Sequence, residues 1–170
     1  MDSESARMSS AAEARFRIDY PNSKPRVIKV IALDAASERV VKDVAQRGWQ
    51  RATFFTSFRF DAAPRGGEGW SMQAWLSDLA GRTKALVEEV ASADLVVMVS
   101  SVGTSARAAA VIGEACAVRK VMTMALIIGS EQRSNDELSK TLASLRPYAQ
   151  MLVIASGDEY IEEMLAALRA

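Results

Sequence analysis

The run from Ala93 to Ser130 constrains the fold of this chain more than any other stretch. It begins at Asp94, which opens an unbroken apolar run, Leu95-Val96-Val97-Met98-Val99. A run so short and so rich in β-branched residues is expected to be a strand buried on both faces. A turn of small residues follows, Ser100-Ser101-Val102-Gly103-Thr104-Ser105. Next comes an alanine-rich helix carrying Val111, Ile112, Ala115 and Val118, and then a second apolar strand, Val121 to Ile128, closed by Gly129. Strand, crossover helix and strand make a βαβ unit, whose two strands should run parallel. Ligands in such folds sit beyond the carboxyl ends of the strands. The Ser100–Ser105 turn is therefore the first place to look for a site.

The rest of the chain extends the same alternation. Val27 to Leu33 reads as the first strand, with Pro25 before it. Asp34 to Glu38 turns into a helix with Val40, Val41 and Val44 on its inner face and Gly48 at its close. Ala52 to Phe58 is the second strand, and Asp61 to Gly69 is a loop. Residues Trp70 to Leu76 alternate as a third strand would, but the same letters could begin a helix. Arg82 to Ser92 has helical spacing through Leu86, Val87 and Val90. Ser134-Asn135-Asp136-Glu137 has the form of a capping box and starts a helix with the stripe Leu138, Leu142, Leu145, ended by Pro147. Met151 to Ala155 is the last strand. Ser156 to Glu159 is a second capping box, leading a helix through Ile161, Met164, Leu165 and Leu168. The expected fold is α/β, a Rossmann-like three-layer fold with a mostly parallel sheet of five or six strands.

Composition narrows the function classes. The chain has 170 residues, enough for one domain with a sizeable core, and 21 basic residues balance 21 acidic ones. Zero net charge gives no reason to expect nucleic acid or an anionic membrane surface as a partner. The absence of histidine removes the commonest general base and metal ligand, so neither a catalytic set nor a metal site is expected. The single cysteine, Cys116, lies within the helix pattern, reads as a buried thiol rather than a nucleophile, and suits a reducing, cytoplasmic compartment. No apolar run approaches the roughly 18–20 residues that span a bilayer, and no signal-peptide core is present. Residues 1–25 read as a polar N-terminal arm, with an added edge strand through Phe16, Ile18 and Tyr20 as the alternative, and 26–170 as one domain.

Several local phrases resemble the nucleotide-binding domain of the FtsZ/tubulin family. Ile28-Lys29-Val30-Ile31, followed by Val40-Val41-x-x-Val44, resembles that family's first strand and helix. Ala93-Asp94-Leu95-Val96-Val97-Met98 resembles its "ADMVFV". Gly103-Thr104 followed by Ala108-Ala109-Ala110-Val111-Ile112-x-Glu114 resembles "GTGTGAAPVIAE". Leu145-x-x-Tyr148 through Ile154, with Asp158, resembles "LRKYVDTLIVIPND". The resemblance covers residues 26 to 165 and lapses between 60 and 80. It implies an FtsZ/tubulin-type nucleotide-binding fold and GTP, GDP or another nucleotide as the ligand.

The family's phosphate turns are glycine-rich, because bare backbone N–H groups must reach the anion. Here the first turn is Ala32-Leu33-Asp34-Ala35-Ala36, with a carboxylate that would repel a triphosphate. The second keeps only Gly103 and Thr104, with Arg107 at the position of the last glycine. Glu131 and Arg133 lie near the family's ribose-contacting pair but cannot be matched to it. The sequence ends at Ala170, ahead of the family's catalytic acid loop, so filament-coupled GTP hydrolysis is not expected.

The expectation is a degenerate, non-catalytic domain that binds a nucleotide-like or other anionic small ligand at the turn after the fourth strand. Its site residues would be Ser101, Gly103, Thr104, Ser105, Arg107, Asp34 and Ser37. Each has a plainer reading beside it. Gly103-Thr104-Ser105 could simply start a helix, with Thr104 or Ser105 as the N-cap, and Asp34 and Ser37 could cap the first helix. The rival expectation is a module that pairs with itself or with an FtsZ-like protein. Trp70, Met72 and Trp75 would then form an apolar patch. Independently of both, Arg65 to Gly69 reads as a plain surface loop, with a flexible lid as the alternative.

Overall fold

The computed structural model describes residues 24–57, 75–78, 83–103, 107–129, 133–155 and 159–170. Their elements in chain order are β1 (Ile28–Ala32), α1 (Ala35–Ala45), β2 (Ala52–Thr56), β3 (Trp75–Asp78), β4 (Thr83–Ala85) and α2 (Leu86–Ala91). They continue with β5 (Leu95–Ser101), α3 (Arg107–Arg119), β6 (Met122–Ile128), α4 (Asn135–Leu145), a 3-10 turn (Arg146–Tyr148), β7 (Met151–Ile154) and α5 (Glu159–Ala167).

The strands form one sheet in the order β4-β3-β2-β1-β5-β6-β7. Strands β2, β1, β5, β6 and β7 are parallel, whereas β3 and β4 form an antiparallel hairpin on the β2 side. The parallel block is the Rossmann-like arrangement expected from the alternation. The hairpin extends the sheet to seven strands, beyond the expected five or six.

Alternation along each strand divides the core into two layers. Ile31, Phe55, Val96, Met98, Ala125 and Ile127 face α2, α3 and α4. Ile28, Val30, Ala32, Val97, Val99, Leu126 and Ile128 face α1 and α5. Both faces of β5 are therefore covered, which is why its sequence is apolar throughout. Phe54 and Phe55 are buried, and Trp49 packs partly buried against the α1–α5 layer. A lysine enters the core. Lys29 is buried on β1, with its ammonium 2.8 Å from a Glu89 carboxylate oxygen and 5.7 Å from the Phe55 ring centroid. The pair neutralises a charge that would otherwise be costly to bury.

Three boundaries correct the sequence reading. The stretch Arg82 to Ser92 is not one helix, because Thr83–Ala85 pairs with Trp75–Ser77 and only Leu86–Ala91 is helical. Leu86 and Val90, one turn apart, are its buried residues, and their helical spacing overrode the weaker strand signal of Thr83-Lys84-Ala85. Strand β2 ends at Thr56, where the Ser57 N–H and hydroxyl both donate to the Ala32 carbonyl at 3.0 Å. Strand β5 runs past Val99 through Ser100 and Ser101, which pair with Ile127 and Ile128. Its turn thus starts at Val102. The N-terminal arm with Phe16, Ile18 and Tyr20, the loop Arg65 to Gly69, the residues Phe58, Trp70 and Met72, and the proposed cap Ser156 to Asp158 lie outside the described residues.

Gly113 sets the spacing between α3 and the 3-10 turn. A Cβ at this position would lie 2.6 Å from Tyr148 Cβ and 3.1 Å from both Tyr148 Cα and its carbonyl oxygen. The backbone on that side leaves no slack. Gly113→Ala should therefore lower stability by about 1–3 kcal/mol through overpacking, although alanine favours a helix by roughly 1 kcal/mol. A urea midpoint that stays put or rises in this variant would contradict the tight contact.

Candidate functional site

The chain reverses its direction of sheet growth between β1 and β5, so the crevice beyond their carboxyl ends is the switch point where a ligand would be sought. Asp34 stands there. It is the N-cap of α1 and forms a capping box with Ser37. One carboxylate oxygen accepts from the N–H groups of Ala36 at 3.0 Å and Ser37 at 2.9 Å, and from the Ser101 hydroxyl at 2.8 Å. The other oxygen accepts from the Ser101 N–H at 2.8 Å. Asp34 is buried and Ser37 wholly so. Three of the expected site residues, Asp34, Ser37 and Ser101, thus come together, but they are bonded to one another. A carboxylate of the chain itself sits where the helix dipole and exposed N–H groups would favour a bound anion.

Gly103 is displaced from this cluster toward α4. Its φ of +87° is a left-handed conformation that glycine tolerates best. Its N–H donates to the Thr141 hydroxyl oxygen at 3.0 Å, and that hydroxyl donates to the Glu137 carbonyl at 3.0 Å. The N–H expected to meet a ligand is therefore engaged by α4. Thr104 and Ser105 lie outside the described residues.

A cleft of about 610 Å³ opens beside Gly103, between α3 and α4, with Tyr148 among its lining residues. Arg107 and Lys140 bring positive charge to it and Glu137 a carboxylate. Helices α1, α2, α4 and α5 each carry an acid in the first turn, which offsets the positive end of the helix. Helix α3 carries none and opens on Arg107. The first turn of α3 thus adds a guanidinium to an already positive terminus, a combination that favours a bound anion. Glu131 lies outside the described residues. Arg133 is 3.6 Å from Glu137 and is not among the cleft residues.

Sequence reasoning located Arg107 but missed Lys140, Thr141 and Tyr148. It reads α4 as a capping box followed by an apolar stripe, of which Leu145 is buried and Leu138 and Leu142 are half-buried. Thr141 sits within that stripe and is buried. A hydroxyl on a buried helix face must find a partner, and that was the available signal. Among the described residues no three His, Cys, Asp or Glu side chains come together as a metal site. No described helix is long and apolar enough to cross a membrane. No protein-family model matches the chain, and no curated protein matches it in sequence.

Cys116 is wholly buried against the α2–α4 side of the sheet, and desolvation raises its thiol pKa from 9.0 to about 11. The folded state therefore holds this proton over a range in which the unfolded state releases it. Stability should fall as the pH rises from 9.0 to about 11, and this loss should be absent in Cys116→Ala. Thiol reagents should label Cys116 at neutral pH only after denaturation. Rapid labelling of the native protein would contradict the burial.

The Asp34 cluster can be tested through stability. Asp34→Ala removes a helix cap and charge-assisted bonds, and should cost about 2–4 kcal/mol. Asp34→Asn, which can still accept hydrogen bonds, should cost less. Equal losses in urea unfolding would show that a neutral acceptor recovers nothing and that the charged, two-oxygen carboxylate carries the whole effect.

Proposed function

We propose that this chain is a non-catalytic nucleotide-binding-type domain that takes a nucleotide-like or other anionic small ligand in the cleft between α3 and α4. The reading includes a cytoplasmic location and descent from an FtsZ/tubulin-type nucleotide-binding half. The observation that carries it is the pairing of a helix start free of first-turn acids with two cations, Arg107 and Lys140, around a cleft of about 610 Å³. That volume falls in the range of small-molecule sites, roughly 300–1,000 Å³. The anionic group would lie against Arg107 and Lys140. Glu137 would accept from a hydroxyl or amino group of the same ligand, as a nucleotide's sugar or base provides. Binding is moved from the switch point to this cleft because the Asp34 carboxylate already takes up the donors of the α1 turn. A second reading, a protein-interaction module that has lost its nucleotide, draws on that same self-occupied crevice.

A thermal-shift panel decides between them. It would contain GTP, GDP, ATP, NAD, FAD and pyrophosphate, each with and without magnesium. A ligand at about 100 times its dissociation constant should stabilise the fold by roughly 2.7 kcal/mol. The shift should vanish in Arg107→Glu and in Lys140→Glu. No shift with any compound, or a shift that persists in both variants, would remove the cleft from consideration and leave the interaction module.

A further inference from the structure

At the amino-terminal ends of β5, β6 and β7 an apolar groove of about 490 Å³ opens beside α5. Leu95, Met122, Met124 and Met151 line its strand side, and Tyr160 and Met164 its helix side. Met151 is 57% exposed, Met122 42% and Tyr160 37%. Methionine side chains are flexible and polarisable and suit a surface that must adapt to whatever covers it. A contiguous exposed apolar patch marks such a covered site.

The chain itself leads into this groove. Arg26, two residues ahead of β1, is one of its lining residues. The adjoining backbone is fixed there: the Val27 N–H donates to Asp94 Oδ2 at 2.8 Å, and the Val27 carbonyl accepts from the Asp94 N–H at 2.9 Å. Asp94 is the neighbour of Leu95, so this tie sits at the β5 end of the groove. Lys24 is exposed, and Pro25, Arg26 and Val27 are half-buried. The chain ahead of Lys24 thus approaches the groove at its β5 end.

Residues 1–23 lie outside the described residues. Their aromatic residues and their isoleucine fall in one stretch, Phe16-Arg17-Ile18-Asp19-Tyr20. Extended backbone would turn Phe16, Ile18 and Tyr20 to one side and Arg17 and Asp19 to the other. Tyr20 precedes Pro21, and a residue before proline favours extended backbone. Six steps of chain separate Tyr20 from Arg26, a reach of about 20 Å. From β5 to β7 the groove crosses two strand spacings, roughly 10 Å. Tyr20 can therefore reach any point along it.

We propose that residues 16–20 of this same chain dock in the groove, with Phe16, Ile18 and Tyr20 covering the methionines. Arg17 and Asp19 then stay at the open side, where Arg26 and Glu163 bring one charge of each sign. A short tether holds the segment at a millimolar effective concentration, so contacts too weak to keep a separate molecule suffice for it. This contact is separate from the α3–α4 cleft and stands whether or not the cleft binds a ligand.

Amide hydrogen exchange on the full chain tests the proposal, with sedimentation velocity at the same concentrations. Residues 16–20 should exchange at least about 10-fold more slowly than an unstructured chain, at low and high protein concentration alike. The protection should vanish in Phe16→Ser/Ile18→Ser. It should also vanish in Met151→Lys, which places a charge in the groove far from the segment in sequence. The circular dichroism of both variants should match the wild type. If Met151→Lys fails to fold, Ala167→Trp, which fills the groove from an exposed position on α5, carries the same expectation. Unprotected exchange at residues 16–20 in the wild type overturns the proposal. Protection that survives both groove substitutions overturns it by placing the segment elsewhere. Protection that appears only where sedimentation shows a dimer overturns it by placing the segment on a second copy.

Discussion

A parallel sheet must be covered on both faces, and this requirement organises the molecule. Strand β5 can be apolar without break from Leu95 to Val99, and β1 and β6 apolar but for Lys29 and Thr123, because helices lie above and below them. Parallel order in turn forces each strand to be followed by a crossover, so the loops that could serve a ligand gather at one end of the sheet. The site follows from the burial pattern before any functional residue is considered.

At that end the chain has spent its best anion-binding geometry on itself. The α1 N-terminus and the Ser101 N–H converge on Asp34, which bridges the two strands where the order reverses. The carboxylate serves as cap and as cross-strand tie. The neighbouring helix start carries Arg107, which with Lys140 of α4 flanks a cleft. The candidate site is thus one crossover removed from the crevice where ligands of this fold class are usually sought.

The legible parts of the sequence were those in which burial leaves a simple signature. Strands β5 and β6 stood out because two-sided burial forces long apolar runs, Leu95–Val99 and Met124–Ile128, and the capping box Ser134 to Glu137 marked the start of α4. The β3–β4 hairpin was half-hidden, since strands of four and three residues are too short for alternation to outweigh a helical period. Ser100 and Ser101 read as turn residues, yet backbone pairing with β6 holds them in the strand while their hydroxyls find local acceptors. The cleft was the least legible feature. Lys140, Thr141 and Tyr148 meet Gly103 and Arg107 only through the packing of α4 against α3, which no local pattern encodes.

The contact of Gly113 with Tyr148 has a mechanical consequence for that cleft. A side chain at Gly113 would meet the Cβ, Cα and carbonyl oxygen of Tyr148, none of which can swing aside, so α3 and the 3-10 turn are held close at one end of the opening. At the other end a hydrogen bond from Gly103 to Thr141 joins the walls. The two joins differ in kind, close-packed atoms at Gly113 and a hydrogen bond at Gly103. A guest that displaced the Thr141 hydroxyl from Gly103 would part the walls at that end while the contact at Gly113 stayed in place.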